Sequence, residues 1–221
     1  MKVILFGATG MIGSGVLLEC LRDPRVTAVL AVGRTPSGKS DPKLTELLHG
    51  DFLEFHSVRV RLTGYDACFF CLGVSAVGMS ESDYRRLTYQ ITVTAAETIL
   101  GANPQLTFCY VSGASTDSTE KGSAMWARIK GMTENRLLAM SPKSYMFRPG
   151  FIQPVHGVRS KTRLYRLIYD ITRPLYPVLK RLFPNSISTS DGLGRAMIAV
   201  ADEGYPKRIL EIGDINALAG S

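Results

Sequence analysis

The sequence predicts a doubly wound α/β fold, a parallel sheet with helices on both faces, followed by a small C-terminal appendage. Short apolar runs typical of buried strands alternate along the chain with longer helical patterns, and that alternation is typical of parallel strands joined by crossover helices. The run ACFFCLG at 67–73 is apolar throughout, as a strand covered on both faces should be. A glycine-rich turn also joins the first apolar run to the first helix.

The order of elements follows from apolar spacing and from residues that end helices and strands. The first strand, 2–6, ends at Gly7, and the first helix, 13–22, ends at Asp23-Pro24 because proline cannot continue a helix. Further strands are predicted at 26–33, 67–73, 105–113, 144–150 and 207–213, and further helices at 81–102, 126–140 and 191–203.

Three other segments receive weaker predictions. The polar stretch 35–42 contains glycine, proline and serine and is predicted to be a loop. Residues 44–50 are predicted to be at most a short helix, and the alternating VRVRL at 58–62 an edge or crossover segment.

Composition indicates one soluble domain, with or without a small appendage. The 221 residues are 45% hydrophobic and 20% charged, which is ordinary for a globular protein. The only CxxC pair, Cys68 and Cys71, lies within a predicted strand, where positions three apart point to opposite faces. The three histidines are unclustered. No metal site is therefore expected.

The N-terminal sequence gives an expectation about location. Only the five residues KVILF stand between Met1 and the first glycine, fewer than the apolar core of a secretory signal requires. No run of 18 apolar residues appears either. These observations predict a cytoplasmic protein.

Positive charge is concentrated near the C-terminal part of the chain. Residues 155–183 contain seven basic residues and one acid, a net +6 of the chain's +7. We interpret 151–190 as an appendage or lid on the substrate side, and 1–150 with 191–221 as the main domain. Within the appendage, the apolar spacing of 163–183 predicts two short helices that cover a pocket. The alternatives are that this segment makes weak contact with an anionic membrane surface, or that it forms the mouth of a site for a long apolar substrate. No nucleic-acid motif accompanies the segment, and no nucleic-acid partner is expected.

A glycine triplet predicts a dinucleotide site. Gly7, Gly10 and Gly13 form GxxGxxG directly after the first strand and at the opening of the first helix. In a Rossmann-like fold such glycines permit a tight turn, close approach of the pyrophosphate, and close packing of helix on strand. The helix N-terminus then offers N–H groups to the phosphates.

The end of the second strand predicts NADP(H) rather than NAD(H). An NAD site places a carboxylate there, whereas an NADP site uses arginine. The chain reads Gly33-Arg34-Thr35, and no acid appears before Asp41. Arg34 offers a forked donor suited to a 2′-phosphate, and Lys39 lies near enough in sequence to assist, as does Thr35.

With these motifs in view, the chain resembles the atypical short-chain dehydrogenase/reductase family, especially its NmrA-like, Tat-interacting-protein-like and epimerase-related members. FGATGMIG is similar to the family's cofactor loop, and ISTSDGLGRAMIAVA to its late loop-to-helix segment. The resemblance implies an NADP(H) site with the following cofactor-binding residues: Gly7, Thr9, Gly10, Met11, Ile12, Gly13, Arg34, Asp51, Phe52, Cys71, Leu72, Gly73, Lys130, Pro149 and Gly150.

The chain departs from the family where the chemistry takes place. Catalytic members carry a tyrosine four residues before a lysine and a serine after the fifth strand, and the lysine helps the tyrosine to exchange a proton with the substrate. Here Lys130 is present, but Trp126 occupies the tyrosine position. Ser112 and Ser115 both follow the fifth strand, so either could stand for the family's serine. Substitute tyrosines are available at Tyr84, Tyr89 and Tyr110, but no spacing selects among them.

Two functions are therefore predicted. The first is an NADP(H)-dependent reductase or epimerase-type enzyme acting on a small or apolar carbonyl substrate. The second is a non-catalytic NADP(H)-binding regulator or redox sensor that engages a protein partner. Trp126 favours the second, whereas Lys130 and the serines favour the first.

Overall fold

A seven-stranded parallel sheet forms the centre of the structure, a computed structural model that describes residues 1–153 and 187–220. Two further strands, β7 and β8, pair in parallel with each other as a separate two-stranded sheet. The strands are β1 Lys2–Phe6, β2 Ala28–Gly33, β3 Leu44–Leu48, β4 Ala67–Phe70, β5 Thr107–Val111, β6 Ser144–Arg148, β7 Phe151–Gln153, β8 Ile187–Thr189 and β9 Ile209–Glu211.

The order of strands across the large sheet is β3-β2-β1-β4-β5-β6-β9, which confirms the predicted doubly wound α/β class. From β1 the chain builds outward through β2 to β3 and then crosses back to place β4 on the other side of β1. This reversal opens a crevice at the carboxyl ends of β1 and β4, where open α/β sheets bind ligands.

Helices cover both faces of the sheet. A 3₁₀ helix spans His56–Leu62, and a π-helical turn, Arg86–Gln90, joins α2 to α3 as one continuous helical stretch. The α-helices are α1 Met11–Arg22, α2 Glu81–Arg85, α3 Ile91–Ala102, α4 Met125–Met140, α5 Ser190–Glu203 and α6 Ile212–Ala219.

The alternation of side chains along β1 divides the core into two halves. Val3 and Leu5 pack into the half that α1, α5 and α6 cover. Ile4 and Phe6 pack into the half covered by α3, α4 and the 3₁₀ helix. Successive side chains of a strand point to opposite faces, so both halves need apolar residues, and this explains why the central strands are continuous apolar runs.

The CxxC pair follows the same rule. Cys68 is buried in the α3–α4 half, while Cys71 packs against the α1–α5 half, as the strand geometry predicted. Among the described residues no group of three or more His, Cys, Asp and Glu side chains is placed to hold a metal ion.

One local prediction was wrong, and for a second segment the structure excludes one of the two alternatives. Residues 44–50 do not form a helix: Leu44–Leu48 is strand β3, and every residue pairs in register with β2, so pairing overrides the helical propensity of LTELL. Residues 58–62 form no edge strand but lie in the 3₁₀ helix of the crossover from β3 to β4, where Val60 is 88% exposed while Val58 and Leu62 pack into the core. That i, i+4 burial is helical.

The sequence also gave no indication of α6 or of the β7–β8 pair. The chain turns directly from β9 into α6, which opens with a capping box between Glu211 and Asp214. Nearly the whole of the predicted appendage, including the basic segment 163–183, lies outside the described residues. Of the helices in 1–153 and 187–220, none is both long enough and apolar enough to cross a membrane.

Candidate functional site

The turn after β1 is closed so tightly that only glycine fits at two of its positions. Gly7 has a φ of +83°, and a β-carbon there would lie 2.7 Å from the carbonyl oxygen of Cys71, at the end of β4. A β-carbon on Gly13 would lie 2.1 Å from the carbonyl oxygen of Gly7. Real β-carbons do not approach this closely, so the turn, the end of β4 and the start of α1 share one compact backbone arrangement.

The first turn of α1 follows directly on the glycine turn. Gly10 precedes the helix, donates its N–H to the Gly7 carbonyl at 2.8 Å, and has no side chain to cap the helix. Thr9 is exposed beside it, while Met11 and Ile12 are half-buried in the opening turn. Uncapped N–H groups and the helix dipole make such a terminus suited to a phosphate.

A cleft of about 350 Å³ extends from the glycine turn along the carboxyl ends of β1, β2 and β3. Its walls combine backbone from the turn with polar side chains from the β2–β3 region. The lining residues are Gly7, Ala8, Thr9, Ala31, Val32, Gly33, Arg34, Thr35, Ser37, Glu46, Leu48, Phe52 and Leu72.

Arg34 is exposed and lines this cleft. No described carboxylate lies within ion-pair distance of its guanidinium, although the other arginines near the sheet hold partners such as Glu134 and Asp23. Its five donors are therefore available to an anion in the cleft.

A second cleft of about 310 Å³ adjoins the first, and Arg34, Phe52 and Leu72 line both. Gly50, Asp51 and Leu53 form one wall, and Val74, Arg86, Leu87 and Ile91 the other. The carboxylate of Asp51 accepts a hydrogen bond from the backbone N–H of Leu53 at 2.9 Å, which holds the turn after β3. Of the residues predicted at the ends of β2, β3 and β4, four line these two adjoining clefts (Arg34, Asp51, Phe52 and Leu72), whereas Cys71 and Gly73 line neither.

Lys130 lies beside the end of β5. Its ammonium donates to the backbone carbonyl of Ser112 at 3.1 Å and stands 5.6 Å from the centre of the Tyr110 ring. Burial lowers the pKa of Lys130 to about 8, and the carboxylate of Glu134 one turn along α4 opposes that shift. An ammonium that titrates near neutral pH can bind hydroxyls or move a proton.

Glu134 is entirely buried and is held by Arg148 at the end of β6. Arg148 donates its Nε to both carboxylate oxygens, at 3.0 and 3.2 Å, and its Nη2 to Oε2 at 2.5 Å. Nη2 also donates to the Ser118 hydroxyl at 2.5 Å. This network ties β6, α4 and the loop after β5 together beneath Lys130.

The two candidate serines have different surroundings. Ser112 is buried, and its hydroxyl lies 3.0 Å from that of Thr116. Ser115 is exposed and has a φ of +64°, which a non-glycine residue adopts only when its neighbours impose it. Ala114, between them, donates its N–H to the carbonyl of Pro149 at 3.0 Å, linking this loop to the end of β6.

The titratable side chain that family members carry one turn before the lysine is absent. Trp126 is half-buried in the first turn of α4, and its indole N–H can donate but does not titrate in the useful range. Tyr84 and Tyr110 are buried, and burial raises the pKa of both phenols. The Cζ atom of Arg85 lies 5.6 Å from the centre of the Tyr89 ring.

With this geometry in place, comparison with known proteins gives the family. "Protein fmp52-1, mitochondrial" of Aspergillus terreus is 30% identical over 169 residues, covering 73% of this chain and 70% of that protein. The chain belongs to the Fmp52 family. An Aspergillus clavatus member, "Protein fmp52, mitochondrial", is 28% identical over 191 residues, covering 81% of this chain and 79% of its own. No family model matches the chain.

Solved structures share the fold that this Fmp52 family member adopts. An oxidoreductase of the short-chain dehydrogenase/reductase family from Burkholderia thailandensis superposes with a TM-score of 0.71 at 14% identity, covering 100% of this chain and 93% of its own. DesIV, a dTDP-glucose 4,6-dehydratase from Streptomyces venezuelae with NAD and TYD bound, superposes with a TM-score of 0.70 at 16% identity. This match covers 99% of this chain and 80% of the DesIV chain. The chain therefore has a short-chain dehydrogenase/reductase-like fold. The finer likeness to NmrA-like and Tat-interacting-protein-like members stays a prediction.

The prediction of a cytoplasmic protein is wrong. The Fmp52 relatives from the two Aspergillus species are both named as mitochondrial proteins. The lack of an apolar signal core near Met1 does not argue against a mitochondrial protein, because mitochondrial transit peptides are amphipathic and arginine-rich instead.

Sequence reasoning missed two acidic residues near the site. Glu46 lies in the cleft that Arg34 lines, but it comes from a segment that was not predicted as a strand. Glu134 could have been noticed, because it stands four residues after Lys130 and therefore on the same helix face.

Proposed function

We propose that the chain binds NADP(H) across the carboxyl ends of β1 and β4 and acts as an oxidoreductase. Two properties of the described residues support a dinucleotide there. Because Gly7 and Gly13 carry no side chain, the end of β1, the end of β4 and the start of α1 come together in one tight backbone turn beside the cleft. The uncapped first turn of α1 suits a pyrophosphate. The NAD-bound dehydratase of like fold supports the same class of ligand.

The observation that carries the preference for the 2′-phosphate is the unpaired Arg34. Its guanidinium lines both clefts and has no described carboxylate partner. Thr35 lines the first cleft beside it, whereas the other predicted helper, Lys39, lines neither. A charge-assisted hydrogen bond contributes about 1.5–3 kcal/mol, which corresponds to a preference of roughly tenfold or more.

Calorimetric titration with NADPH and NADH tests this assignment. Wild type should bind NADPH about tenfold more tightly, and Arg34→Ala should abolish this preference, so that NADPH binds no more tightly than NADH, while leaving NADH binding nearly unchanged. Arg22→Ala, an exposed change far from both clefts, serves as the charge-matched control. Equal wild-type affinities, or tighter NADH, would show that Arg34 does not read a 2′-phosphate.

The proposed chemistry is reduction or epimerase-type conversion of a small or apolar carbonyl compound. Bound NADPH would supply a hydride to the carbonyl carbon and become NADP⁺, and the carbonyl oxygen would take its proton from solvent, because Trp126 cannot donate one. Lys130 would hold cofactor hydroxyls through its ammonium, and the buried Glu134–Arg148 pair keeps α4 and β6 in fixed relation beneath it. A hydroxyl of Ser112 or Ser115 would orient the substrate oxygen.

A second function is favoured by Trp126. Without a phenol at this position the usual proton donor is absent, and loss of a positioned acid removes about 10²–10⁴-fold of rate. A protein that keeps the nucleotide site but not the donor fits an NADP(H)-binding regulator with a protein partner. Single-turnover oxidation of NADPH with a panel of ketones and quinones separates the two: measurable turnover indicates the enzyme, and tight binding without turnover the regulator.

A further inference from the structure

We propose that Glu46 is a second ribose-recognition residue, supplied by β3, that accepts a hydroxyl of the adenosine ribose and opposes the preference that Arg34 gives. The inference rests on the proposed dinucleotide site. It assigns to that site a carboxylate in addition to the arginine, so that NADH is retained as a weaker ligand.

The register of the sheet places Glu46 beside the ribose end of the cleft. Glu46 pairs with Ala31 of β2, which lies two residues before Gly33. Glu46 and Ala31 both line the cleft that begins at the glycine turn. A carboxylate that reads ribose hydroxyls ordinarily follows the second strand. Here the neighbouring strand, β3, places the carboxylate of Glu46 in the same cleft.

One oxygen of Glu46 is already engaged, and the other is open. Oε1 accepts the backbone N–H of Ser37 at 2.6 Å and its hydroxyl at 2.5 Å. Oε2 accepts no hydrogen bond from any residue in the described ranges. The two bonds from Ser37 fix the direction of the carboxylate and leave Oε2 as the acceptor for a ligand.

The charge of Glu46 is also uncompensated. The hydrogen bonds from Ser37 lower the pKa of the half-buried carboxyl, so it is ionised at neutral pH. No lysine or arginine among the described residues lies within ion-pair distance of it. Glu46 lines the cleft, and the ribose hydroxyls of a bound nucleotide are donors that its ionised carboxylate can accept.

Arg34 and Glu46 therefore act on the ribose with opposite sign. NADH presents a 2′-hydroxyl that Oε2 can accept, whereas NADPH presents a 2′-phosphate that the carboxylate repels and the guanidinium attracts. Glu46 should narrow the preference for NADPH, because it strengthens NADH binding and weakens NADPH binding.

The test is calorimetric titration of NADPH and NADH into wild type and Glu46→Gln, which keeps the size of the side chain and one acceptor for Ser37. We expect NADH binding to weaken about threefold, because the amide of glutamine still hydrogen-bonds the ribose but without the charge assistance. NADPH binding should tighten about threefold, as removal of a unit charge several ångströms from a phosphate implies. Glu54→Gln is the control, because this nearby acid lines neither cleft.

Each alternative result has a distinct meaning. If both nucleotides weaken by the same factor, Glu46 only holds the loop through Ser37, and the inference fails. Unchanged NADH affinity overturns it as well. If wild type binds neither nucleotide, the proposed function falls and this inference with it, so the wild-type titration separates the two failures.

Discussion

Replacing Glu134 with glutamine should destabilise the protein far more than any exposed ion-pair substitution. Glu134 is 0% exposed, and the side chain of its partner Arg148 is only 11% exposed. The substitution leaves a buried guanidinium facing a neutral amide. Arg148 keeps its bonds to Ser118 and Glu211, which compensate in part.

The size of the effect follows from burial. Breaking a buried pair by removing one partner costs about 3–5 kcal/mol. Arg148 keeps its other hydrogen bonds, and the glutamine amide keeps one oxygen that can accept from it. We therefore expect Glu134→Gln to lower the free energy of unfolding by about 3 kcal/mol, the lower end of this range. For a chain of this length that corresponds to a fall in Tm of roughly 6–12 °C.

Urea and thermal denaturation followed by circular dichroism measure this loss. The matched control is Glu97→Gln, which breaks the exposed Arg136–Glu97 pair at 2.9 Å, and exposed pairs contribute about 0.2–1 kcal/mol. A Glu134→Gln variant no less stable than Glu97→Gln would refute the reasoning, because it would show that the buried Glu134–Arg148 pair does not stabilise the folded state.

Two other substitutions test the site. Gly13→Ala should abolish binding of both nucleotides, because the new β-carbon would lie 2.1 Å from the Gly7 carbonyl oxygen. Gly101→Ala is the control, because a β-carbon there would have no atom within 4 Å. Retained nucleotide binding in Gly13→Ala would contradict the tight turn. Trp126→Tyr should raise single-turnover NADPH oxidation by about 10²-fold at pH 7, below the pKa of about 8 at which Lys130 loses its charge. Lys130→Ala in that background should cancel the gain, and wild-type turnover unaffected by Lys130→Ala would show that the chemistry lies elsewhere.

Local sequence determined the central strands and the glycine turn. β1 and β4 are apolar on both faces because helices cover both, and that burial is visible as continuous apolar runs. Gly7, Gly10 and Gly13 could be placed because a strand precedes them and a helix follows.

Features that depend on distant partners could not be predicted in this way. LTELL becomes a strand only because β2 offers a free edge, and no local pattern encodes that pairing. Glu46 and Glu134 gain their roles from Ser37 and Arg148, nine and fourteen residues away, at spacings that no helix or strand period links.

The most direct test of the account is a crystal structure of the protein grown with NADP⁺. We expect the pyrophosphate at the first turn of α1 over the Gly7–Gly13 turn, and the 2′-phosphate within hydrogen-bond distance of the Arg34 guanidinium. A nucleotide bound away from this turn, or a 2′-phosphate directed to solvent with Arg34 uninvolved, would contradict it.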